Sequence, residues 1–385
     1  MRVLMAHSFY RVPGGEDRYV LRLMDLLEAR HEVRLLGPRN VDLREGIRTA
    51  ASMAYSRKRL QEARDAIDEF EPHLIHLNNP YPSLGASVHL AASKAGVPLI
   101  VTVHNLRMRC PNGLMFTEGA ICRRCQEGAY FNAALHQCFP RRTQGAAYAT
   151  VLWLHRFVVH LEEKVSLFIC PSNYMRDRLL SWGLDESKLR VVPHFIPMDV
   201  PASSKPGRYG IYVGRLSQEK GVDTLLDALK EAGDPEFLIV GGGPLAEDLK
   251  RRSAELGLMN TSFLGHVDPE RVRSLLSESR FLVMPSACEE SASLAAMEAM
   301  SVGRPLLVTS LGALPELVST GAGIAFTAGN VAELARGIDR LMADDGFCQA
   351  AGERSLTIAR ERFSAQSHLS KLEGAYESAL TRRSG

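Results

Sequence analysis

Two glutamates eight residues apart, Glu290 and Glu298, stand in EESASLAAMEAMSVGRP, residues 289 to 305. A carboxylate accepts hydrogen bonds from hydroxyls, so a pair of them suits a polyol. The stretch follows an apolar run, RFLVMPS, and its own spacing is helical, with Leu294, Met297, Ala299 and Met300 able to share one apolar face. A helix read from Glu290 onward carries Glu298 about two turns in, roughly 12 Å along the axis. The backbone N–H groups of Ser291, Ala292 and Ser293 would then open that helix. A helix start at the C-terminal end of a parallel strand is a seat for phosphate. Hydroxyl acceptors beside an anion seat suit a ligand that is both polyol and phosphate, such as a nucleotide sugar. The plain alternative is an amphipathic helix with two solvated glutamates.

Arg215 and Lys220, in GRLSQEKG, bring the opposite charge. A guanidinium and an ammonium neutralise a diphosphate leaving group without calling on a metal. Gly14-Gly15 would let the backbone approach a ligand closely at a sheet edge, or would form a plain tight turn. His104 and Asn105 close the apolar run PLIVTVHN, where doubly wound sheets bind ligands. A lone histidine there is as readily a satisfied structural residue.

Four cysteines, Cys110, Cys122, Cys125 and Cys138, are spaced C-x11-C-x2-C-x12-C, with His136 close to the last. In a reducing compartment this reads as a tetrahedral zinc site stapling a long loop. Four thiolate ligands leave no open position for catalysis, so its role would be structural. Free thiols and disulfides are the alternatives.

Two α/β domains are needed to position these residues. MRVLMAHS, HEVRLLGP, HLIHLNN, PLIVTVHN, LFICPS and RVVPHF read as strands in the first half, with helical segments between them, one of them at about 55 to 70. Residues 146 to 165, AAYATVLWLHRFVVHLEEKV, read as one helix carrying Trp153, Arg156 and Phe157. It is either a core helix of the first domain or one that lies on a membrane surface. YGIYVGRL, EFLIVGGGP, TSFLGHV, RFLVMPS, PLLVTS and GIAF restart the strand pattern. Asp199, Pro201 and Ser203-Ser204-Lys205-Pro206 mark a polar crossing between the halves. The expected domains are 1–200, with a cysteine-rich loop at 106–143, then 201–363, then a last helix over 364–385 that crosses back to the first.

At 385 residues, 45% hydrophobic and 23% charged, the chain is of globular type. Its 46 basic and 44 acidic residues nearly cancel, which argues against a nucleic-acid partner. No apolar run reaches the roughly 18 residues of a membrane span. MRVLMAHS is strand-like and unlike a secretory leader. The expectation is a cytoplasmic protein with reduced thiols, and the 146–165 helix raises the inner face of the membrane as a place of peripheral contact.

GRLSQEKG, GGGP, FLGHV, PSACEESASLAAMEAMSVGRP and the N-terminal PGGEDR carry a resemblance that spans residue 1 to about 380. In order and spacing they resemble the large retaining glycosyltransferase family with the GT-B fold and a Glu-x7-Glu motif (family 4, glycosyl transferases group 1). HNLRMRCPNGLMF is similar to a subset of these enzymes. The resemblance implies two doubly wound, Rossmann-like domains facing across a cleft, a nucleotide-diphosphate sugar donor (UDP- or GDP-linked), and no cofactor required for catalysis. It implies a hydroxyl acceptor; the 146–165 helix points to a lipid-linked one in surface polysaccharide or glycolipid synthesis, with a secondary-metabolite or small-thiol acceptor as the alternative. It gives Arg215 and Lys220 to the donor diphosphate, Glu290 to the donor sugar's hydroxyls, and Glu298 to the ribose. The backbone of Ser293 and Leu294 would meet the distal phosphate, and Gly242, in GGGP, joins the donor-binding set. His104 would lie close to the donor sugar, Gly14 and Gly15 near phosphate and acceptor, and Glu16 on the acceptor side. Ser293 and Ala292 stand where the family commonly has a glycine and an aromatic, and His194-Phe195 where many members have Asn-Gly, which leaves the donor sugar open.

Residues 241 to 246, GGGPLA, also fit the dinucleotide pattern of an oxidoreductase, but the next strand ends in Gly265-His266 where an acid should hold the ribose. A nucleotide-sugar epimerase, a sugar phosphorylase and a non-catalytic sugar-nucleotide binder are the other readings on the same fold.

Overall fold

The computed structural model describes residues 1–10, 14–37, 53–199, 202 and 205–381. The crossing read at Pro201, Ser203 and Ser204, part of the N-terminal glycine-rich turn at 11–13, and residues 382–385 lie outside the described residues.

The apolar runs form two six-stranded sheets in which the neighbouring strands are parallel. The first contains β1 Arg2–His7, β2 Glu32–Leu36, β3 Leu74–Asn79, β4 Leu99–Thr102, β5 Leu167–Cys170 and β6 Leu189–Val191. Their order is β2-β1-β3-β4-β5-β6. The second contains β7 Gly210–Val213, β8 Phe237–Val240, β9 Thr261–Gly265, β10 Phe281–Met284, β11 Leu306–Thr309 and β12 Gly323–Phe326. Their order is β9-β8-β7-β10-β11-β12. Helices cover both faces of a parallel sheet, so its strands read as continuous apolar runs rather than alternating ones. Val3, Leu4, Met5 and Ala6 of β1, and Leu306, Leu307 and Val308 of β11, are fully buried.

The chain divides into two compact units. One holds residues 1–118, 122–193 and 368–385; the other holds 194–367 with 119–121. The last helix, Ala365–Thr381, contributes most of its length to the first unit. There Tyr376 Oη bonds His76 Nδ1 at 2.7 Å, and His76 Nε2 bonds Thr102 Oγ1 at 2.7 Å. Tyr19 Oη bonds His368 Nε2 at 3.2 Å, and Pro193 O accepts from His368 Nδ1 at 2.7 Å. Burial, then the neighbouring His368, pull His76 down to about 3, so its ring is neutral and bonded at both nitrogens.

Two elements differ from their expected extents. β4 ends at Thr102, so His104 and Asn105 lie just beyond it, and the Asn105 side chain caps a 3-10 turn, Leu106–Met108, by accepting from Arg107 N at 3.1 Å. The helix expected over 146–165 runs Arg142–Phe157; His160 then takes the left-handed region (φ 54°), and Leu161–Lys164 is a separate 3-10 turn. Ala149, Leu152 and His155 face inward, while Trp153 and Phe157 are exposed. Among the described residues, no helix is long and apolar enough to cross a membrane.

Candidate active site

In the second unit the strand order reverses direction at β7 and β10. The segments that leave these two strands diverge, and the crevice between them is where such sheets bind ligands. Residues 214–220 leave β7 and residues 285–293 leave β10, so this topology alone brings Lys220 and Glu290 together. Lys220 Nζ donates to Glu290 Oε1 at 2.5 Å, and Ser286 Oγ donates to the same oxygen at 2.8 Å. The Lys220 side chain is 22% exposed and that of Glu290 12%. Burial opposes the ammonium, but the Glu290 carboxylate outweighs it and holds Lys220 above its ordinary value. Beside them, burial and then Glu290 push the Cys288 thiol up to about 12.

Two glycines allow this approach. Lys220 ends a 3-10 turn, Gln218–Lys220, and Gly221 follows at φ 63°; a Cβ there would lie 2.1 Å from Pro285 O. Gly312, at φ 62°, passes so close to the Glu290 backbone that a Cβ would lie 2.5 Å from its nitrogen. Ala313 N donates to Glu290 O at 2.8 Å, which fixes the turn. Arg215 is exposed, and among the described residues its guanidinium makes no hydrogen bond or ion pair; its carbonyl accepts from Tyr212 Oη at 2.8 Å. Gly242 faces open space, and its carbonyl accepts from Leu216 N at 2.9 Å.

The helix after β10 starts later than its sequence pattern suggests. It runs Leu294–Ser301, because Ser293 is extended (φ −125°, ψ 106°) and its hydroxyl accepts from Ala296 N at 3.2 Å. Glu290 therefore precedes the helix, and Glu298 is its fifth residue, about 6 Å along the axis from its first. The leading N–H groups belong to Leu294 and Ala295 rather than to Ser291 and Ala292. Leu294 is only partly buried, and Ala296, Met297, Ala299 and Met300 form the packed face. His194 is buried in this unit.

In the first unit the order reverses between β1 and β3. Ser8, just past β1, accepts at its Oγ from Ser83 Oγ at 3.0 Å and donates to Pro80 O at 3.1 Å. Gly14 caps the helix Gly15–Glu28, and its N–H donates to Asp17 Oδ2 at 2.9 Å. Asp17 Oδ1 accepts from His7 Nε2 at 2.8 Å and from Tyr10 N at 3.3 Å. Burial would raise the Asp17 carboxyl, but His7 and these backbone donors hold it below its usual value. Asp17 was absent from the sequence-level candidates; an acid three residues after a capping glycine is the signal that marks it. His104 Nε2 donates to Asn78 Oδ1 at 3.1 Å, and the ring meets Tyr19 edge-on at 5.4 Å. His104, Asn78, Tyr81, Arg107, His155 and Phe168 line a cavity of about 100 Å³ at the C-terminal ends of β3 and β4.

Two family models tile the chain: Glycosyltransferase Family 4 matches residues 13–200, and Glycosyl transferases group 1 matches 198–357. The chain belongs to these glycosyltransferases. It is 23% identical over 308 residues to an uncharacterized glycosyltransferase, MJ1178, of Methanocaldococcus jannaschii, covering 79% of this chain and 75% of that one. Sucrose-phosphate synthase from Thermosynechococcus elongatus is similar in structure, with a TM-score of 0.73 at 17% identity over 99% of this chain and 100% of that one. Anabaena Alr3699/HepE in complex with UDP gives 0.69 at 18% identity, over 98% and 100%. At these identities the structural likeness speaks for the fold, which is that of the GT-B enzymes.

Two further features of this glycosyltransferase lie in the first unit. Glu16 receives a hydrogen bond from Tyr10 Oη at 3.4 Å, and burial first, with Arg107 opposing and Asp17 assisting, pushes its carboxyl up to about 8. A raised carboxyl adds stability in full below the unfolded pKa and loses it as pH rises through the folded value. The melting temperature of the wild type should therefore fall between pH 5 and pH 8 relative to Glu16→Gln, as read by thermal scans of both; parallel curves would reject a buried neutral Glu16. The second feature is the cysteine cluster. Cys110, Cys122, Cys125 and Cys138 all line one small cavity, and all seven cysteines of the chain are free thiols. Burial, then Cys110, Cys138 and Cys122 in turn, push the Cys125 thiol up to about 12. Among the described residues, no group of three His, Cys, Asp or Glu side chains is arranged to hold a metal ion as it stands.

Proposed function

We propose that this glycosyltransferase moves a sugar from a nucleoside diphosphate donor to a hydroxyl acceptor with retention of the anomeric configuration. The observation that carries the reading is the Lys220–Glu290 pair where β7 and β10 part. Lys220 and the exposed Arg215 are the groups that take the diphosphate charge, because an ammonium and a guanidinium together offset the charge that develops on it. Glu290, held by Ser286 as well as Lys220, orients the sugar's hydroxyls. Glu298 takes the ribose, and the helix start at Ser293 and Leu294, with Gly242, takes phosphate. The binding of UDP and of UDP-glucose by Alr3699/HepE supports a nucleotide-linked donor, UDP- or GDP-linked here.

In the reaction, the anomeric C–O bond to the diphosphate breaks as the acceptor oxygen forms its own bond to that carbon on the same face. The departing phosphate oxygen receives the acceptor's proton. The cavity beside His104 is the assigned seat for part of the acceptor, with Gly14, Gly15 and Glu16 near it. Exposed Trp153 and Phe157 support a lipid-linked acceptor of the kind used for surface polysaccharide or glycolipid.

The test is a panel of UDP- and GDP-sugars with a hydroxyl acceptor, the product's anomeric proton being read by NMR. An α-linked donor should give an α-linked product. A β-linked product would overturn retention. Epimerised donor, or donor bound without turnover across the panel, would overturn transfer itself.

A further inference from the structure

We propose that Cys110, Cys122, Cys125 and Cys138 form a structural zinc centre that closes the long segment between β4 and the helix Arg142–Phe157. That segment has little regular structure of its own: a 3-10 turn at Leu106–Met108, two-residue strands at Phe116–Thr117 and Ala120–Ile121, and one helical turn at Asn132–Leu135. A connection of this length inside a packed domain needs something other than backbone pairing to hold it.

Three observations converge on a metal. First, the four sulfur-bearing residues surround a single cavity of about 10 Å³, room for one water-sized occupant. Second, polar partners hold two of the sulfurs. Cys110 Sγ donates to Asn112 Oδ1 at 2.9 Å. Arg124 Nη1 donates to Cys122 Sγ at 3.7 Å. Groups that ligate a metal are held and tuned by such outer partners. Third, guanidiniums stand close: Arg109 and Arg123 line the same cavity and Arg124 sits on Cys122, with Arg109 also paired to Glu162 and Arg124 to Glu118. A zinc ion with four thiolates carries two net negative charges, and the guanidiniums offset part of them.

Four soft thiolates select zinc in tetrahedral geometry over hard cations such as magnesium. Binding replaces four S–H protons, which pass to solvent, with four Zn–S bonds of about 2.3 Å. Because no three of the thiols are arranged around a metal as they stand, these bonds require their side chains to rotate. No electrons are exchanged.

The experiment uses the full chain, purified with a phosphine reductant and no chelator. Elemental analysis should find about one zinc per chain, and an organomercurial thiol reagent should release it stoichiometrically to a colorimetric zinc dye. Cys122→Ser and Cys138→Ser should lose the metal, and Cys348→Ala, in the core of the second unit, should keep it. Stripping with a strong chelator should lower the melting temperature of the wild type, and zinc but not magnesium should restore it. A metal-free chain whose melting is indifferent to chelator and zinc overturns the proposal, whether its four thiols titrate freely or have lost hydrogens to disulfides. The release and melting arms use wild-type protein, so the outcome does not hang on whether a serine variant folds.

Discussion

Replacing Lys220 with alanine is expected to lower kcat by about 100-fold or more, the usual cost of removing one charge contact from a transition state. The ammonium is the part-buried group in direct contact with Glu290, and the contact holds its charge well beyond any working pH. Its loss acts twice. The diphosphate loses a counter-charge, and the Glu290 carboxylate is left with a negative field beside an anionic donor. Stability should fall too, by about 1–2 kcal/mol, less than for a fully buried pair because Lys220 is 22% exposed. Glu290→Gln alone should also be slow, but the double variant should lose much less than the sum of the two, because they share one contact. Steady-state kinetics on the three variants checks this, and wild-type rates for Lys220→Ala would end the assignment.

Gly312→Val is the second change with a large expected effect, though the side chain it adds touches no ligand. The position has φ 62°, and a Cβ would sit 2.4 Å from Glu290 O and 2.5 Å from Glu290 N. The left-handed conformation alone costs a branched residue about 1–2 kcal/mol. That should lower the melting temperature by several degrees. Relief of the overlap requires the Glu290 turn to move away, breaking the Ala313–Glu290 bond of 2.8 Å and shifting the carboxylate from Lys220. Activity should therefore collapse in protein that is still folded below its melting temperature. Circular dichroism melts beside kcat measurements separate the two effects. A folded variant with near-normal turnover would show that the Glu290 turn tolerates displacement.

The strands were the most legible part of the sequence, and for a physical reason. A parallel strand covered on both faces is apolar along its length, as β1 and β11 are, and the edge strands β2 and β9 alternate instead. The meeting of Lys220 with Glu290, 70 residues apart, was legible only through the strand-end positions of GRLSQEKG and PSACEE. Helix limits were less legible. Ser293 looked like the third residue of a helix, and one hydroxyl bond to Ala296 makes it the cap instead. His160 interrupts an otherwise helical pattern by entering the left-handed region, which nothing in VVHLEE announces. Asp17 and Ser286 were missed because their roles depend on partners that the fold supplies: His7 behind the first, Glu290 beside the second. The histidine–tyrosine bonds of the last helix join residues 300 and 349 positions apart, beyond the reach of any local pattern.

Those same bonds have a consequence for how the molecule is made. His76 and Tyr19 lie in the first 80 residues given, and their partners Tyr376 and His368 follow 300 and 349 positions later. A nascent chain leaving the ribosome therefore carries an N-terminal half whose buried imidazole and phenol have no mates while the whole intervening unit is synthesised. Completion waits on the helix Ala365–Thr381, so a premature stop ahead of Ala365 would strip polar partners from the unit made first and leave the unit made second with nearly all of its own residues.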